Sequence, residues 1–314
     1  MHTIDLSLGD ARALIGRAID KAEDIGVRGA VAVVGASGVL VSASRMDRGG
    51  TGGMARARSK AWIAATQQIP SVVHLGRLGV IAPPMVTGFV ACSPEAVFPG
   101  AGGMPIRDDH GNVIAGVAAS GATVGPFVDY PGADRRKLIA DGKPANCEDL
   151  LVHYALAIPY EGQHGDDEQR WIDAYGSLPD EPGLGMADPP PFGSQPEHEW
   201  AVAIADRAIS EARARGARIA VAIVDHRGDP IQQDCMDGAP TAAPFVADAI
   251  AAGAATFQLP SEQIDPALTS VLPYRVATVP GGLPVSEDGR VVAGIGIAGD
   301  DPDACRAIAQ TALA

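Results

Sequence analysis

The chain has 314 residues, of which 46% are hydrophobic and 20% charged, a composition that predicts a globular protein with room for two domains. Its formal net charge of −14 argues against nucleic acid or an anionic membrane as the main partner, because most of the surface would repel either one. The sequence has no apolar run of membrane-spanning length, and its first residues lack the pattern of a secretory leader, so we expect a cytoplasmic protein.

An amphipathic helix opens the predicted structure, since small and apolar residues recur at intervals of three and four between Ala11 and Ala22. The segment "GAVAVVGASGVLVSAS" then predicts two strands joined by a turn at Gly38. An alanine-rich helix is expected over residues 52–68, followed by strands at "GMPIRD" and "NVIAGVAAS" and by a closing helix. This order indicates an α+β domain with an antiparallel sheet.

The same series of elements returns in the second half of the chain. Residues 11–47 align without a gap with residues 201–237, and the Gly-Gly-x-Pro stretch at 102–105 returns at 281–284. The first copy carries extra residues between these anchors, within "VIAPPMVTGFVACSPEAVFPGA". The repeat predicts two homologous domains, residues 1–141 and residues 197–314.

A connector of residues 142–196 separates the two predicted domains. Its second half, "SLPDEPGLGMADPPPFGSQPE", is rich in proline and glycine and is typical of an extended tether. Its first half contains "CEDLLVHYALAI", which predicts one helix that packs on either domain.

Four motifs carry a resemblance to a known family. The order of elements, with "RMD" after the first hairpin, "RSKAWIAA" in the second helix, "GGMPI" and "GNVIAGVAASG", resembles the GlcG/HbpS family. That family includes the C-terminal domain of PduO-type proteins and is often labelled haem-degrading. The resemblance implies two profilin-like domains, each with a central antiparallel sheet flanked by helices, packed as a fused pseudo-dimer. It also implies a tendency to form homo-oligomers.

The two copies differ in a cationic stretch. Copy one reads "RMDRGGTGGMARARSKA" and copy two "CMDGAPTAAPFVADAIA", so Arg45, Arg56 and Lys60 occur only in copy one. Glycines in this stretch leave backbone N–H groups accessible at the start of the second helix, which suits a carboxylate or phosphate. We therefore predict an anion site in the first domain. The alternative is a solvated helix face, with Asp47 capping a turn.

The Gly-Gly-x-Pro turn has two interpretations. Gly102 and Gly103 allow positive φ and close backbone approach, and Pro105 fixes the chain as it enters an edge strand, so a structural role is sufficient. In the other interpretation their backbone N–H groups line a ligand pocket. Ser120, which precedes Gly121, would then donate a hydrogen bond to the ligand.

Metal and haem ligands show no repeated pattern. No histidine recurs at equivalent positions, and the four cysteines form no C-x-x-C pair, so we predict neither a metal site nor a cofactor. Haem iron takes axial His, Cys, Met or Tyr. Met46 and Met236 do recur, but a methionine at a strand end is more often part of the core. Haem stays open through the family resemblance.

The functional hypothesis is a cytoplasmic small-molecule protein of catabolism that binds an anionic, carboxylate-bearing ligand in the first domain. As an enzyme it would be a cofactor-independent isomerase, hydratase or lyase. Arg45 and Lys60 would neutralise a carboxylate or a developing enolate, and Asp47 would carry a proton. Two alternatives are a haem-binding or haem-handling protein and a non-catalytic structural or regulatory partner.

Overall fold

The computed structural model describes residues 6–93, 95–122, 139–140, 143–144, 146–162, 198–271 and 275–314. The chain divides into two compact units. Unit 1 comprises Met1–Val39 and Arg48–Pro190, and unit 2 comprises Leu40–Asp47 and Pro191–Ala314.

The described residues form helices and antiparallel strands along the whole chain. The first elements are α1 (Leu8–Ile25), β1 (Ala30–Gly35), β2 (Leu40–Arg45), α2 (Gly52–Gln67), α3 (Ser71–Gly79), α4 (Pro83–Cys92), β3 (Gly103–Arg107), β4 (Val113–Ser120), β5 (Ile139–Ala140), β6 (Lys143–Pro144) and α5 (Cys147–Ala155). The later ones are α6 (His198–Ala214), β7 (Ala220–Asp225), β8 (Pro230–Cys235), α7 (Ala243–Phe257), β9 (Gly282–Glu287), β10 (Arg290–Ala298) and α8 (Pro302–Leu313), with short 3-10 turns at Ser261–Gln263 and Pro266–Val271.

Unit 1 is built around β4, which pairs antiparallel with β1 on one side and with β3 on the other. The alanine-rich helix α2 lies along these three strands. Helix α1 buries the predicted stripe of small and apolar residues, from Ala11 to Ala22, and packs against α5. The connector helix α5 therefore closes unit 1, where it also contacts β3 and β4.

The described residues of unit 2 form five antiparallel strands in the order β2-β8-β7-β10-β9. Helix α7 packs on β7 and β10 through alanines such as Ala247 and Ala251, and α6 packs against α8. Strand β2 comes from the first sequence repeat and pairs with β8, with Ser42 opposite Asp234. Its buried hydroxyls bind across the pair: Ser42 Oγ donates to Asp234 at 2.8 Å, and Ser44 Oγ donates to Gln232.

The predicted α+β class, with helices flanking antiparallel strands in both halves of the chain, is confirmed. The compact units and the sequence repeats have different limits, because β2 belongs to unit 2. The predicted boundary at residue 141 and the proline-rich tether, residues 177–197, both lie outside the described residues. The domain limits 1–141 and 197–314 and the tether stay predictions.

Among the described residues, no helix combines the length and the apolar character needed to cross a membrane. Cytoplasmic location stays a prediction from the sequence.

Candidate functional site

A buried ion pair joins α2 to α5 in unit 1. Lys60 is buried, with 1% of the residue exposed. Its Nζ donates to Glu148 Oε2 and, at 3.2 Å, to the carbonyl oxygen of Ala119. Glu148, in the first turn of α5, is 8% exposed. An isolated charge in this environment would be strongly disfavoured, so each of these two groups compensates the other.

The acidic first turn of α5 also binds the two glycine turns that flank the sheet. Glu148 Oε1 accepts the Gly121 N–H at 2.7 Å, and Asp149 Oδ1 accepts the Gly102 N–H at 2.6 Å. Asn146 caps the helix by accepting the N–H groups of Glu148 and Asp149 at 3.0 and 3.2 Å. Carboxylates are favoured at this end of a helix. Helix α5 thus fixes the chain before β3 and after β4.

The recurring glycines have a packing role in this arrangement. Gly102 has φ 94°, and a Cβ placed on it would lie 2.7 Å from Glu148 Cβ. A Cβ on Gly103 would lie 2.6 Å from Ser71 Oγ. Gly281 in unit 2 likewise has a positive φ, of 125°, so both copies need glycine here. Ligand contacts from Gly102, Gly103 and Pro105 stay predictions.

Arg56 lies beside the buried pair, near the N-terminus of α2. Its Cζ is 6.0 Å from the centroid of the Phe98 ring, and Lys60 Nζ is 5.6 Å from the same centroid. The guanidinium lies over Gly52 and Gly121. A Cβ placed on Gly52 would be 2.8 Å from an Arg56 nitrogen, and a Cβ placed on Gly121 would be 3.8 Å from an Arg56 nitrogen. Phe98 is 44% exposed and Arg56 is half-buried, so solvent reaches this surface.

Arg56 has no acidic partner among the residues that the structure describes. Within the described part of the chain, no carboxylate forms an ion pair with Arg56, whereas Arg58 on the same helix lies 3.9 Å from Glu95. Helix α2 has no acidic residue in its first turn, and Thr51 makes no side-chain cap. The helix end and the guanidinium therefore add their positive potentials. Ser120 is buried next to this region, at the end of β4.

The other two predicted catalytic residues lie in unit 2 and make structural contacts there. Arg45 is 4% exposed; its Nη2 donates to Asp225 Oδ2 at 2.8 Å and its Nε to the carbonyl oxygen of Pro230 at 2.8 Å. Asp47 Oδ1 accepts the His198 N–H at 2.6 Å, at the start of α6. The structure thus assigns Arg45 and Asp47 to one unit and Lys60 to the other, and a joint catalytic role stays a prediction.

The Arg45 contact belongs to a charged turn between β7 and β8. Asp225 also accepts the backbone N–H groups of Arg227 and Asp229, at 2.9 and 3.2 Å. Burial, together with the neighbouring Asp225, raises the pKa of the Asp229 carboxyl above its ordinary value. The Arg45 guanidinium offsets part of this negative charge, which is a sufficient reason for a buried arginine at the end of β2.

Sequence reasoning missed Glu148, Asp149 and Phe98. A signal for the two acids is present in "NCEDL", an asparagine cap followed by carboxylates in the first helical turn. The sequence predicts this helix as part of a connector, and a connector gives no reason to pair its acids with Lys60. Phe98 lies in the stretch of copy one that contains the extra residues, where the alignment of the two copies is least certain to identify a counterpart.

Unit 2 replaces the charged groups with apolar ones and a thiol. Ile250 and Val246 stand where the alignment places Lys60 and Arg56. A Cβ placed on Gly281 would lie 3.3 Å from Cys305 Cβ. Cys305 therefore lies beside Gly281 as Glu148 lies beside Gly102. Burial raises the pKa of the Cys305 thiol, which keeps it protonated at neutral pH.

The fold and the repeated glycine turns define a tandem α+β protein whose two copies are differently substituted. The family model described as "Haem degrading protein HbpS-like" matches residues 6–125 and 197–314. The chain belongs to this HbpS-like family, which confirms the resemblance found in its sequence motifs.

Solved structures of single-domain length are similar to parts of the chain. A PduOC complex with haem is 26% identical, with 36% of this chain and 88% of that one covered and a TM-score of 0.34. A double mutant of Streptomyces reticuli HbpS is 25% identical, covering 43% and 93%, with a TM-score of 0.36. Klebsiella pneumoniae ORFY is 21% identical, covering 37% and 86%, with a TM-score of 0.33. No curated protein matches the chain.

Proposed function

We propose that unit 1 binds a small carboxylate-bearing molecule at the Arg56 surface, defined as Arg56, Phe98 and the N-terminus of α2. The observation that carries the proposal is the uncompensated guanidinium. Of the three neighbouring cations on α2, Lys60 is paired with Glu148 and Arg58 lies near Glu95, while Arg56 has no acidic partner among the described residues.

The Arg56 surface offers the two kinds of contact that such a molecule needs. A guanidinium presents two parallel N–H donors to a carboxylate, and charge-assisted hydrogen bonds contribute roughly 1.5–3 kcal/mol each. The exposed ring of Phe98 provides an apolar face for the rest of the ligand. Beneath this surface, Glu148 binds both Lys60 and the Gly121 N–H, so the floor of the site is held in one conformation.

The finer form of the proposal is a cytoplasmic role in small-molecule catabolism, as a cofactor-independent isomerase, hydratase or lyase. We favour ligand binding over catalysis as the main function, because Arg45, Asp47 and Lys60 are all hydrogen-bonded to other groups of the same chain. Ligand-induced release of Lys60 from Glu148 would supply a cation and a carboxylate to a bound substrate.

Titration calorimetry with benzoate tests the binding proposal. Arg56→Gln is expected to weaken benzoate binding at least tenfold, the effect of losing about 1.4 kcal/mol. Arg58→Gln, on the same helix, is the matched control and should retain the affinity of the unmodified chain. Benzamide, which lacks the charge, should bind weakly to both. Equal benzoate affinity for Arg56→Gln and the unmodified chain would refute the Arg56 surface as the site.

Haem is the second candidate ligand, and His74 is the observation that favours it beyond family membership. His74 on α3 is 6% exposed, its Nε2 is buried without a hydrogen-bond partner among the described residues, and its ring lies 5.0 Å from that of Phe89. Burial, with a smaller effect of Arg77, lowers the pKa of His74 and keeps the imidazole in the neutral form that binds iron.

The residues around His74 fit an apolar macrocycle. Helix α4 buries none of its residues, and large apolar side chains are exposed on α3 (Leu75), directly after it (Val80) and on α4 (Met85). His74 would hold the iron, and Arg77, one turn away on α3, would contact a propionate. Haem would supply redox chemistry at this place. Because α4 buries none of its residues, its displacement to admit the ligand would cost little apolar burial.

Hemin titration followed by absorbance separates the two candidates. A Soret band that saturates at one hemin per chain and is lost in His74→Ala, but kept in the exposed control His110→Ala, would support the haem site. Hemin binding that depends on Arg56 and not on His74 would instead indicate that the Arg56 surface takes the propionates. Absence of a saturable band would rule out haem.

A further inference from the structure

Unit 2 contains a pocket of about 170 Å³ at the place where unit 1 has its charged groups. It lies between the start of α7, the turn before β9, the end of β10 and the start of α8. Most of its wall is aliphatic, and the side chains that matter below are Ala243, Val246, Val279, Ile297, Ala298 and Cys305. We call it the unit 2 pocket.

The wall of the unit 2 pocket has apolar residues at positions where copy one has polar ones. Val246 takes the aligned position of Arg56, and Ala298 takes that of Ser120. Cys305 stands beside Gly281 as Glu148 stands beside Gly102. Ile250, behind the pocket wall, takes the position of Lys60 and is fully buried. A ligand here would therefore meet carbon and sulfur where the corresponding place in unit 1 offers charges.

The charges near the mouth of the pocket disfavour an anion. The N-terminus of α8 is capped by Asp301, whose Oδ1 accepts the N–H groups of Asp303 and Ala304 at 3.0 and 3.3 Å. Asp300 is exposed at the rim, and its carbonyl oxygen lies 3.5 Å from Cys305 Sγ. A carboxylate would be repelled by Asp300 and would find the helix end already occupied.

The size and lining of the pocket define its ligand class. An enclosed apolar cavity of roughly 150 Å³, engineered in another protein, binds benzene. The unit 2 pocket has a similar volume and is open to solvent on one side. We infer that the unit 2 pocket binds one small, uncharged, apolar molecule of about the size of benzene. The inference is independent of the Arg56 surface, which lies in the other unit and is proposed to bind an anion.

Methyl-resolved NMR on the full chain, titrated with benzene, tests the inference. Saturable shifts are expected for the methyl groups of Ala243, Val246, Ile297 and Ala298, with one benzene bound per chain. Val246→Phe fills the pocket and should weaken benzene binding at least tenfold. Val291→Phe enlarges a half-buried valine of the same unit outside the pocket and should leave the affinity unchanged.

Further variants keep the test decisive if Val246→Phe disturbs folding. Val246→Arg installs the residue of copy one and should abolish benzene shifts while the rest of the methyl spectrum is retained. Arg56→Gln should leave benzene binding unchanged, so the two sites can fail separately. Benzene shifts that persist in both Val246 variants, that fall outside the pocket, or that benzoate reproduces at the pocket would overturn the inference.

Discussion

The two units fill the space beside the recurring glycine turn with different side chains, charged in unit 1 and uncharged in unit 2. Beside one glycine turn, unit 1 buries Lys60 against Glu148; beside the other, unit 2 places Ile250 near Cys305. Replacing a buried ion pair by apolar residues of similar volume is often neutral or stabilising, so the fold does not require the charges. In unit 1 the pair has a further structural consequence, because Glu148 also accepts the Gly121 N–H at 2.7 Å.

The largest effect is expected when one member of the buried pair is removed. Glu148→Ala leaves the Lys60 ammonium buried without its counter-ion and frees the Gly121 N–H, so the free energy of unfolding should fall by about 3–5 kcal/mol. Urea denaturation measures this loss. An unchanged midpoint would mean that water or another group already compensates Lys60.

The matched control transfers the chemistry of unit 2 into unit 1. The double variant Lys60→Ile with Glu148→Cys removes both charges together, so it should recover most of the stability lost in Glu148→Ala. Benzoate binding should nevertheless weaken, because the floor of the Arg56 surface changes. A double variant that is no more stable than Glu148→Ala would contradict the equivalence of the two positions.

A smaller loss is expected at the glycine that both units share. Gly102→Ala forces a positive φ and places a Cβ 2.7 Å from Glu148 Cβ, which should cost about 2–4 kcal/mol by urea denaturation. Gly281→Ala should behave alike, since its Cβ would meet the Ile297 carbonyl oxygen. Gly111→Ala is the control: φ is 84°, but no atom lies within 4 Å of the added Cβ, so only the cost of the backbone, about 1 kcal/mol, should appear.

The charged turn of unit 2 should respond less than the ion pair of unit 1. Arg45→Gln removes the bond to Asp225, but Arg227 remains 3.4 Å from the same carboxylate and keeps part of its compensation. We expect a loss of about 2 kcal/mol in thermal or urea unfolding. Unaltered benzoate binding in this variant would separate the structural role of Arg45 from the predicted catalytic one. A tenfold loss of binding at full stability would restore Arg45 to the site.

The smallest effect is a pH dependence due to His74. Its folded-state pKa is lowered mainly by burial, so below the ordinary histidine value near 6.5 the unfolded chain takes up a proton that the folded chain does not. Stability should therefore fall as the pH drops below about 6.5. His74→Phe should flatten this slope between pH 7.5 and 5, whereas His110→Phe should keep it. An identical slope in His74→Phe would assign the effect to other groups.

Local structure was predictable because it is encoded in short segments. The spacing of small residues predicted α1, and β3 and β4 follow the strands predicted at "GMPIRD" and "NVIAGVAAS". The glycine turn was recognised from its repetition, and the packing role given to Gly102 and Gly103 in one of the two interpretations matches the short distances around them.

Long-range pairing was not predictable from those segments. Lys60 and Glu148 are 88 positions apart, and Ser42 and Asp234 are 192 positions apart, so no local pattern records that they meet. Copy two offered no guide either, because Ile250 and Cys305 have no charge to pair. The cationic stretch therefore suggested a single anion site, whereas the structure distributes its members between a buried pair, a charged turn and the open Arg56 surface.

The position of β2 determines which fragments of the protein retain the complete sheet of unit 2. Cutting the chain at the connector would yield a fragment of residues 198–314 that lacks β2. In that fragment β8 would become an edge strand, and Gln232 and Asp234 would lose their hydrogen bonds to Ser44 and Ser42. Such an edge invites pairing with another copy. The sequence repeat and the compact unit have different limits, so a fragment meant to reproduce unit 2 should include β2.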